Sequence, residues 1–168
     1  MSFNPKHILV PVAIDPDDDF KLAEHAVFAA CDIAEKFGST ITLLHLAPVL
    51  SPGAAASIDI SAKVYHSFML VLQARLDRGR LKLKELQEAA RKRGIIVEGR
   101  VIDSIERTPT VILETADELK VDLLVIGSHG RRGLSRMLFG SVAEQVAQKA
   151  KMPVLLIHPQ AFSSKPEA

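Results

Sequence analysis

The apolar residues of this chain fall into five short runs, and the stretches between the runs have a different spacing. Four of the runs are nearly continuous in Ile, Val and Leu, which is typical of strands buried on both faces of a parallel sheet. The third run alternates more between apolar and polar residues, which favours a strand at a sheet edge. The predicted strands are residues 7–13, 40–46, 95–102, 122–127 and 153–158.

Helical periodicity fills the first two gaps between these runs. Apolar residues recur at steps of three and four over residues 22–37, and Gly38 follows as a stop signal. The same spacing predicts a longer helix between Val64 and Ala90, which ends before Gly94. Both glycines suit the left-handed conformation in which many helices terminate.

The last two gaps begin with helix-start signals. Thr108 followed by Pro109 predicts a capping residue and a proline at the first helical position, opening a helix that runs to residue 120. Ser141 and Glu144 have the spacing of a capping box and open a last helix, which runs to residue 151.

Strand and helix alternate four times before the final strand, and this order predicts the fold class. Right-handed crossovers turn it into a single doubly wound, five-stranded parallel sheet with helices on both faces, an α/β fold. We expect one domain over residues 1–160 and a flexible polar tail over residues 161–168. The wholly apolar fifth strand is expected at a sheet edge, where it invites pairing with a second chain.

Composition narrows the classes of function. Of the 168 residues 48% are apolar and 24% are charged, and the formal net charge is +1. A nearly neutral chain has no overall attraction for nucleic acid or an anionic membrane, so neither is expected as a partner. The single cysteine, Cys31, excludes an intramolecular disulfide and a thiolate-rich metal site. The apolar runs are too short for a membrane helix or a secretion signal, so we expect a cytoplasmic protein.

The segment 127–141 is the most informative for function. It begins where the fourth predicted strand ends and finishes where a helix begins, and Gly127, Gly130 and Gly140 recur within it. Glycines there let backbone N–H groups approach an anion closely, and a helix N-terminus adds partial positive charge. The segment contains no acidic residue and three arginines: Arg131, Arg132 and Arg136. This combination suggests a phosphate site.

Two familiar phosphate loops do not match this spacing. A Walker A loop needs G-x-x-x-x-G-K-[ST], and that string does not occur in the chain. The dinucleotide fingerprint G-x-G-x-x-G is also missing, and acidic residues follow the first predicted strand in place of glycines. Ser141 and Glu144 could also form a helix cap that needs no ligand.

At these residues the chain resembles the universal stress protein family, whose nucleotide-binding members carry G-2x-G-9x-G-[ST]. The motif is matched at Gly127, Gly130, Gly140 and Ser141, and the resemblance runs from about residue 7 to residue 158. It implies a flavodoxin-like domain, similar to the adenine nucleotide α-hydrolases, with the strand order 3-2-1-4-5. It also implies a stress-response regulator or sensor that binds ATP, with or without Mg²⁺, and forms a homodimer through residues 153–158.

The resemblance further implies which residues touch the nucleotide. Adenine would lie against the ends of the first and second strands, and the phosphates would meet the glycine segment and the start of the last helix. His129 is either a neighbour of the phosphates or an exposed loop histidine. The implied binding residues are Pro11, Val12, Ala13, Asp15, Leu46, Ile126, Gly127, His129, Gly130, Arg131, Gly140, Ser141 and Val142.

One departure from the family pattern bears on affinity. Family members usually place an aspartate at the end of the first strand, and this chain has Ala13 there, with Asp15 as the next acid. Either Asp15 reaches back to the nucleotide or that contact is missing. A missing charged hydrogen bond would cost roughly 1.5–3 kcal/mol, a loss of at least about tenfold in affinity. The alternative is therefore a dimeric scaffold or small-ligand binder of the same fold that has lost ATP binding.

No catalytic residue and no protein-bound metal site is predicted. The chain shows no Walker lysine, activated nucleophile or assembled metal site, so at most slow ATP hydrolysis is expected. The acidic cluster after the first strand either caps the first helix, which is the simpler account, or helps to hold Mg²⁺ on the phosphates. The cluster is Asp15, Asp17, Asp18 and Asp19.

Overall fold

Strands and helices alternate as predicted in the computed structural model, which describes residues 3–14, 21–48, 62–104, 106–128 and 140–158. The predicted tail, residues 161–168, lies outside this range, as does the acidic cluster. In chain order the described elements are β1 (His7–Pro11), α1 (Lys21–Phe37), β2 (Thr40–Pro48), α2 (Ala62–Lys92), β3 (Val97–Ser104), α3 (Thr108–Glu118), β4 (Leu123–Gly127), α4 (Ser141–Lys149) and β5 (Val154–Ile157).

The five strands form one parallel sheet in the order β3-β2-β1-β4-β5, which confirms the predicted fold. The chain builds outward from β1 to β2 and β3, then returns to the other side of β1 to add β4 and β5. The direction of building therefore reverses between β1 and β4. In open α/β sheets such a reversal leaves a crevice beyond the carboxyl ends of the two strands.

Helices cover the sheet on both faces, as alternate residues of β1 show. Ile8 and Val10 belong to a core cluster with α1 and α2, whereas Leu9 belongs to a second cluster with α3 and α4. All three side chains are fully buried. Cys31 of α1 lies in the first cluster, where burial raises the pKa of its thiol.

The fifth strand differs from the prediction of burial on both faces. Within the described part of the chain β5 pairs with β4 alone, so β5 is an edge strand, as expected. Leu155 is consequently 36% exposed, and Val154 and Leu156 are half-buried. β3 forms the opposite edge, which confirms the interpretation of its alternating pattern.

Two predicted helix ends are confirmed and two details of α3 are wrong. Gly38 and Gly94 adopt φ values of +66° and +77°, the left-handed conformation expected at a stop signal. Thr108 is not the capping residue, because the Arg107 carbonyl already accepts the first helical hydrogen bond, 2.9 Å from the Thr110 nitrogen. The helix also stops before residue 120, because Lys120 adopts φ +50°.

The long helix α2 has two unlike halves. From Gly79 onward the apolar positions that face the sheet are buried: Leu83, Leu86 and Ala90. Before Gly79 the described large apolar side chains from Val64 to Val71 are exposed. Among the described residues, no helix is long and apolar enough to cross a membrane.

Ion pairs attach α2 to α1 along the buried half. The Arg93 guanidinium donates to Glu35 at 2.6 Å and to Asp32 at 2.7 Å, and the Lys82 ammonium donates to Glu24 at 2.6 Å. Hydrogen bonding to Arg93, with its positive charge as a smaller contribution, lowers the pKa of the Glu35 carboxyl. The basic residues of α2 therefore orient the two helices as well as solvating the surface.

We expect Arg93→Met to lower the melting temperature by a few degrees at neutral pH, because two carboxylates of α1 lose their partner. The pKa of Glu35 is lower in the folded chain than its ordinary value of 4.5, so its contribution is present above that value. It disappears as the pH falls through the lowered pKa. Calorimetry should show the difference in melting temperature between the wild type and Arg93→Met shrink from pH 7 to pH 3, with the exposed Lys92→Met as control. A melting-temperature difference that is the same at pH 7 and pH 3 would contradict this account.

Candidate functional site

The crevice at the strand reversal is formed by the chain that leaves β1 and β4. Val12, Ala13 and Ile14 follow β1, and Ser128 follows β4. Val12 and Ile14 are buried, whereas Ala13 is exposed. Because β1 and β4 pair directly in parallel, these residues leave the sheet side by side at its carboxyl edge.

Backbone hydrogen bonds join the end of β4 to the start of α4. The Gly140 N–H donates to the Ser128 carbonyl at 2.6 Å, and the Ser128 N–H donates to the Ile157 carbonyl at 2.8 Å. Ser128 and Gly140, which flank residues 129–139, are thus joined directly. His129, Gly130 and Arg131, predicted to bind phosphate, lie outside the described residues, and so does Asp15.

Helix α4 begins with a glycine cap, so the predicted capping box is wrong. Gly140 is the N-cap residue at φ −70° and ψ 148°, and no side chain caps the helix. Ser141 is already helical because the Gly140 carbonyl accepts from the Glu144 N–H at 3.0 Å. The Glu144 carboxylate accepts instead from Gln148, one turn further on, at 3.3 Å. The first-turn N–H groups thus lack a side-chain partner among the described residues, as anion-binding helix starts require.

Gly127 is required by packing at the end of β4. A Cβ atom at this position would lie 2.7 Å from Cγ of Leu22 in α1, closer than real Cβ contacts come. The first glycine of the motif therefore lets α1 approach the end of the strand. Its absence of a side chain has a structural reason before any ligand is considered.

His45 is a buried polar residue behind the crevice that the sequence analysis did not single out. Its ring is 4% exposed, and Nδ1 lies 3.3 Å from the Val12 carbonyl oxygen. Since a carbonyl only accepts, Nδ1 carries the proton of this bond. On its other side the ring meets α2, where a Cβ at Gly79 would lie 2.8 Å from Nε2. A histidine inside a strand whose other polar residues are threonines is the signal that could have identified it.

The structure brings the residues predicted for the adenine end together at the ends of β1 and β2. Pro11 pairs with Leu44, two residues before Leu46, and the Val12 N–H donates to the Leu44 carbonyl at 2.8 Å. Val12 therefore has both backbone polar groups engaged, one by β2 and one by His45. The Ile126 side chain is buried in the α3 and α4 cluster.

Arg107 places positive charge beside the start of α4. Its guanidinium donates to the Gln145 amide oxygen at 3.1 Å, and the Gln145 amide donates to the Ser141 carbonyl at 3.0 Å. Within the residues that the structure describes, no group of His, Cys, Asp and Glu could hold a metal ion. The described crevice thus combines backbone donors and an apolar floor with a nearby cation.

Comparison with known proteins shows the family of this chain. Residues 4–158 match the universal stress protein family. The chain belongs to that family. It is 31% identical over 154 residues to universal stress protein A homolog 2 of Coxiella burnetii, covering 92% of this chain and 95% of the relative. It is 28% identical over 152 residues to a universal stress protein of Methanocaldococcus jannaschii, covering 90% of this chain and 81% of that relative.

Solved structures of the family share the fold. Universal stress protein UspA of Lactobacillus plantarum superposes with a TM-score of 0.70 at 21% identity, covering 90% of this chain and 97% of the other. A family member from Arabidopsis thaliana with AMP bound gives 0.64 at 19% identity, covering 97% of both chains. One from Archaeoglobus fulgidus in complex with dAMP gives 0.61 at 24% identity, covering 90% of this chain and 97% of the other.

We expect Gly79→Ala to destabilise the protein by about 1–3 kcal/mol, because the new Cβ displaces the ring of His45 from its buried place. In an ordinary helix interior the same change stabilises by up to about 1 kcal/mol. Urea unfolding in a double-mutant cycle checks this, since Gly79→Ala should become neutral or stabilising in a His45→Ala background. The same gain in both backgrounds would show that His45 does not restrict position 79.

Proposed function

We propose that this universal stress protein binds an adenine nucleotide, ATP in particular, at the carboxyl edge of the sheet between β1 and β4. The observation that carries the proposal is the start of α4, where Gly140 is the N-cap and no side chain of the described residues occupies the first-turn donors. The AMP and dAMP complexes of proteins with this fold support an adenine nucleotide as the ligand.

The phosphate end of the ligand would be recognised by backbone groups. A helix start concentrates unpaired N–H groups and about half a positive charge, both suited to an anion. Ser141 and Val142 would offer N–H groups, and the Ser141 hydroxyl would add a donor. Arg107 lies one hydrogen-bonded side chain away, through Gln145. Gly130, His129 and Arg131 would complete this end as the family motif implies.

The adenine end would rest on the ends of β1 and β2. Val12 would contact the base through its backbone surface without hydrogen bonding to it, because its N–H and carbonyl groups already bond within the protein. The exposed Ala13 and the backbone of Leu46 would then lie nearest to the base or the ribose. With no carboxylate at residue 13, the contact depends on packing unless Asp15 supplies one.

Nucleotide binding would be regulatory: the signal would be whether the site holds a nucleotide. No described residue group holds a metal, so Mg²⁺ would arrive with the nucleotide phosphates or be held by the acidic cluster. Hydrolysis would be slow at most, since backbone donors stabilise charge but do not activate a water molecule. The setting we propose is the cytoplasm.

A homodimer through β5 belongs to the same proposal. β5 ends the sheet, so its outer backbone groups have no strand beside them within the described residues, and Leu155 is exposed there. Such an edge pairs readily with an identical edge across a two-fold axis.

Alanine at position 13 favours a second candidate function. The end of β1 has no carboxylate in the described chain, and Ala13 is exposed where the family usually has aspartate. A family member without that contact could serve as a dimeric scaffold, or bind another small ligand in the same crevice. Titration with ATP distinguishes the two candidates directly.

We expect Gly140→Asp to weaken ATP binding at least tenfold (~1.4 kcal/mol) by calorimetric titration, because a carboxylate would stand at the phosphate position. Aspartate is a good N-cap residue, so the free energy of unfolding should stay the same or rise by a few tenths of a kcal/mol. Gly140→Ala is the control, since the φ of −70° suits alanine and no charge is added. Unchanged ATP affinity in Gly140→Asp would place the phosphates elsewhere.

We expect Ala13→Asp to tighten ATP binding about tenfold or more, because it restores a charged hydrogen-bond acceptor at an exposed position. Ala13→Asn offers a neutral side chain of similar shape and should gain less. If the wild type shows no heat with ATP and Ala13→Asp does, the second candidate function is favoured. If the wild type binds ATP and Ala13→Asp binds it no more tightly, the nucleotide does not contact residue 13.

A further inference from the structure

The hydrogen-bond ladder between β1 and β2 ends at Val12. The register of the two strands is regular up to this residue, whose N–H donates to the Leu44 carbonyl at 2.8 Å. In a regular parallel ladder the next bonds would join the Leu46 N–H to the Val12 carbonyl and the Ile14 N–H to the Leu46 carbonyl. Neither of these two bonds forms. The strands therefore separate beyond Val12, at the crevice.

Leu46 has two backbone groups that face the opening between the strands. A strand residue turns its N–H and its carbonyl to the same neighbouring strand, and in β2 the even-numbered residues turn them to β1, as the Leu44 carbonyl shows. Within the part of the chain that the structure describes, neither the N–H nor the carbonyl of Leu46 has a hydrogen-bond partner. Leu46 is half-buried, and backbone groups at such a position normally have a partner.

The ring of His45 holds the carbonyl that would otherwise pair with Leu46. Its Nδ1 donates to the Val12 oxygen at 3.3 Å. His45 follows Leu43 by two residues, so its side chain projects to the α1 and α2 face of the sheet, where Leu43 is buried. A ladder donor would lie in the plane of the sheet, whereas this donor lies on one face of it. The ring therefore draws the Val12 carbonyl out of the ladder.

Helix α2 fixes the ring from its other side. A Cβ at Gly79 would lie 2.8 Å from Nε2 of His45 and 3.4 Å from its Cδ2, so the ring packs directly against the backbone of the helix. An apolar side chain of similar size would fill the same space between β2 and α2. It would not hold the Val12 carbonyl, because it has no donor.

We propose that His45 is a positioning residue for the nucleotide site: it holds the Val12 carbonyl out of the ladder and so leaves the Leu46 N–H and carbonyl for the edge of the bound adenine. This inference rests on the function proposed above. Adenine carries an acceptor ring nitrogen beside a donor amino group, which complements the donor and acceptor of one backbone residue. His45 acts through the backbone, not by contact with the nucleotide.

Amide hydrogen exchange in the nucleotide-free protein tests this role without a ligand. In the wild type the Leu46 amide should exchange at least about a hundredfold faster than the Val12 amide, because of these two only the Val12 N–H is bonded. His45→Leu keeps much of the volume and loses the donor, so the Val12 carbonyl should rejoin the ladder and slow the Leu46 amide at least about tenfold. His45→Asn has an N–H at the same number of bonds from Cα as Nδ1, so its Leu46 amide should exchange as in the wild type.

Calorimetric titration with ATP tests the consequence for binding. His45→Leu should bind ATP at least about tenfold more weakly than the wild type, whereas His45→Asn should stay within about threefold of it. Ile41→Ala is the control for lost stability, because Ile41 is buried on the same face of β2 at the far end of the strand. That variant should bind ATP as the wild type does.

Two exchange results would overturn the proposal. One is a Leu46 amide in the wild type that exchanges as slowly as the Val12 amide, and the other is an equal Leu46 exchange rate in the wild type and His45→Leu. Equal losses of ATP affinity in His45→Leu and His45→Asn would overturn it too. If the wild type binds no ATP, the proposed function fails, and the exchange rates alone decide whether His45 keeps the ladder open.

Discussion

Burial of β1 on both faces and along both edges is the constraint on which the other features depend. Ile8, Leu9 and Val10 have no exposed surface, so two helices must cover each side of the sheet and a strand must pair on each edge. Filling both edges of the first strand requires the chain to cross from one half of the sheet to the other. That crossing creates the crevice between β1 and β4 and brings the start of α4 to it.

Close packing requires a glycine at two positions near the crevice. Gly127 has no side chain because Leu22 of α1 occupies the space, and Gly79 has none because the ring of His45 does. His45 in turn bonds to the Val12 carbonyl beneath the proposed adenine position. Core residues therefore fix the backbone that forms the crevice. Substitutions at these buried positions should alter the shape of the crevice even though the side chains contact no ligand.

Helix α2 carries an apolar stripe whose two halves differ in exposure. From Gly79 onward the stripe packs on the sheet, while Lys82 and Arg93 attach the helix to α1 through three carboxylates. Before Gly79 the described large apolar side chains from Val64 to Val71 are exposed.

The sequence alone determined the order of elements, the parallel sheet, the strand order and the family, because apolar periodicity and glycine stops act locally and the motif is specific. It misplaced the starts of α3 and α4, where Arg107 and Gly140 rather than Thr108 and Ser141 are the N-caps, since a cap depends on backbone geometry as well as residue type. Only the tertiary structure decided the packing role of Gly127, the position of His45 and the exposure of the first half of α2. Each of these features depends on contacts between residues that are far apart in the sequence, and the local spacing of residue types does not specify such contacts.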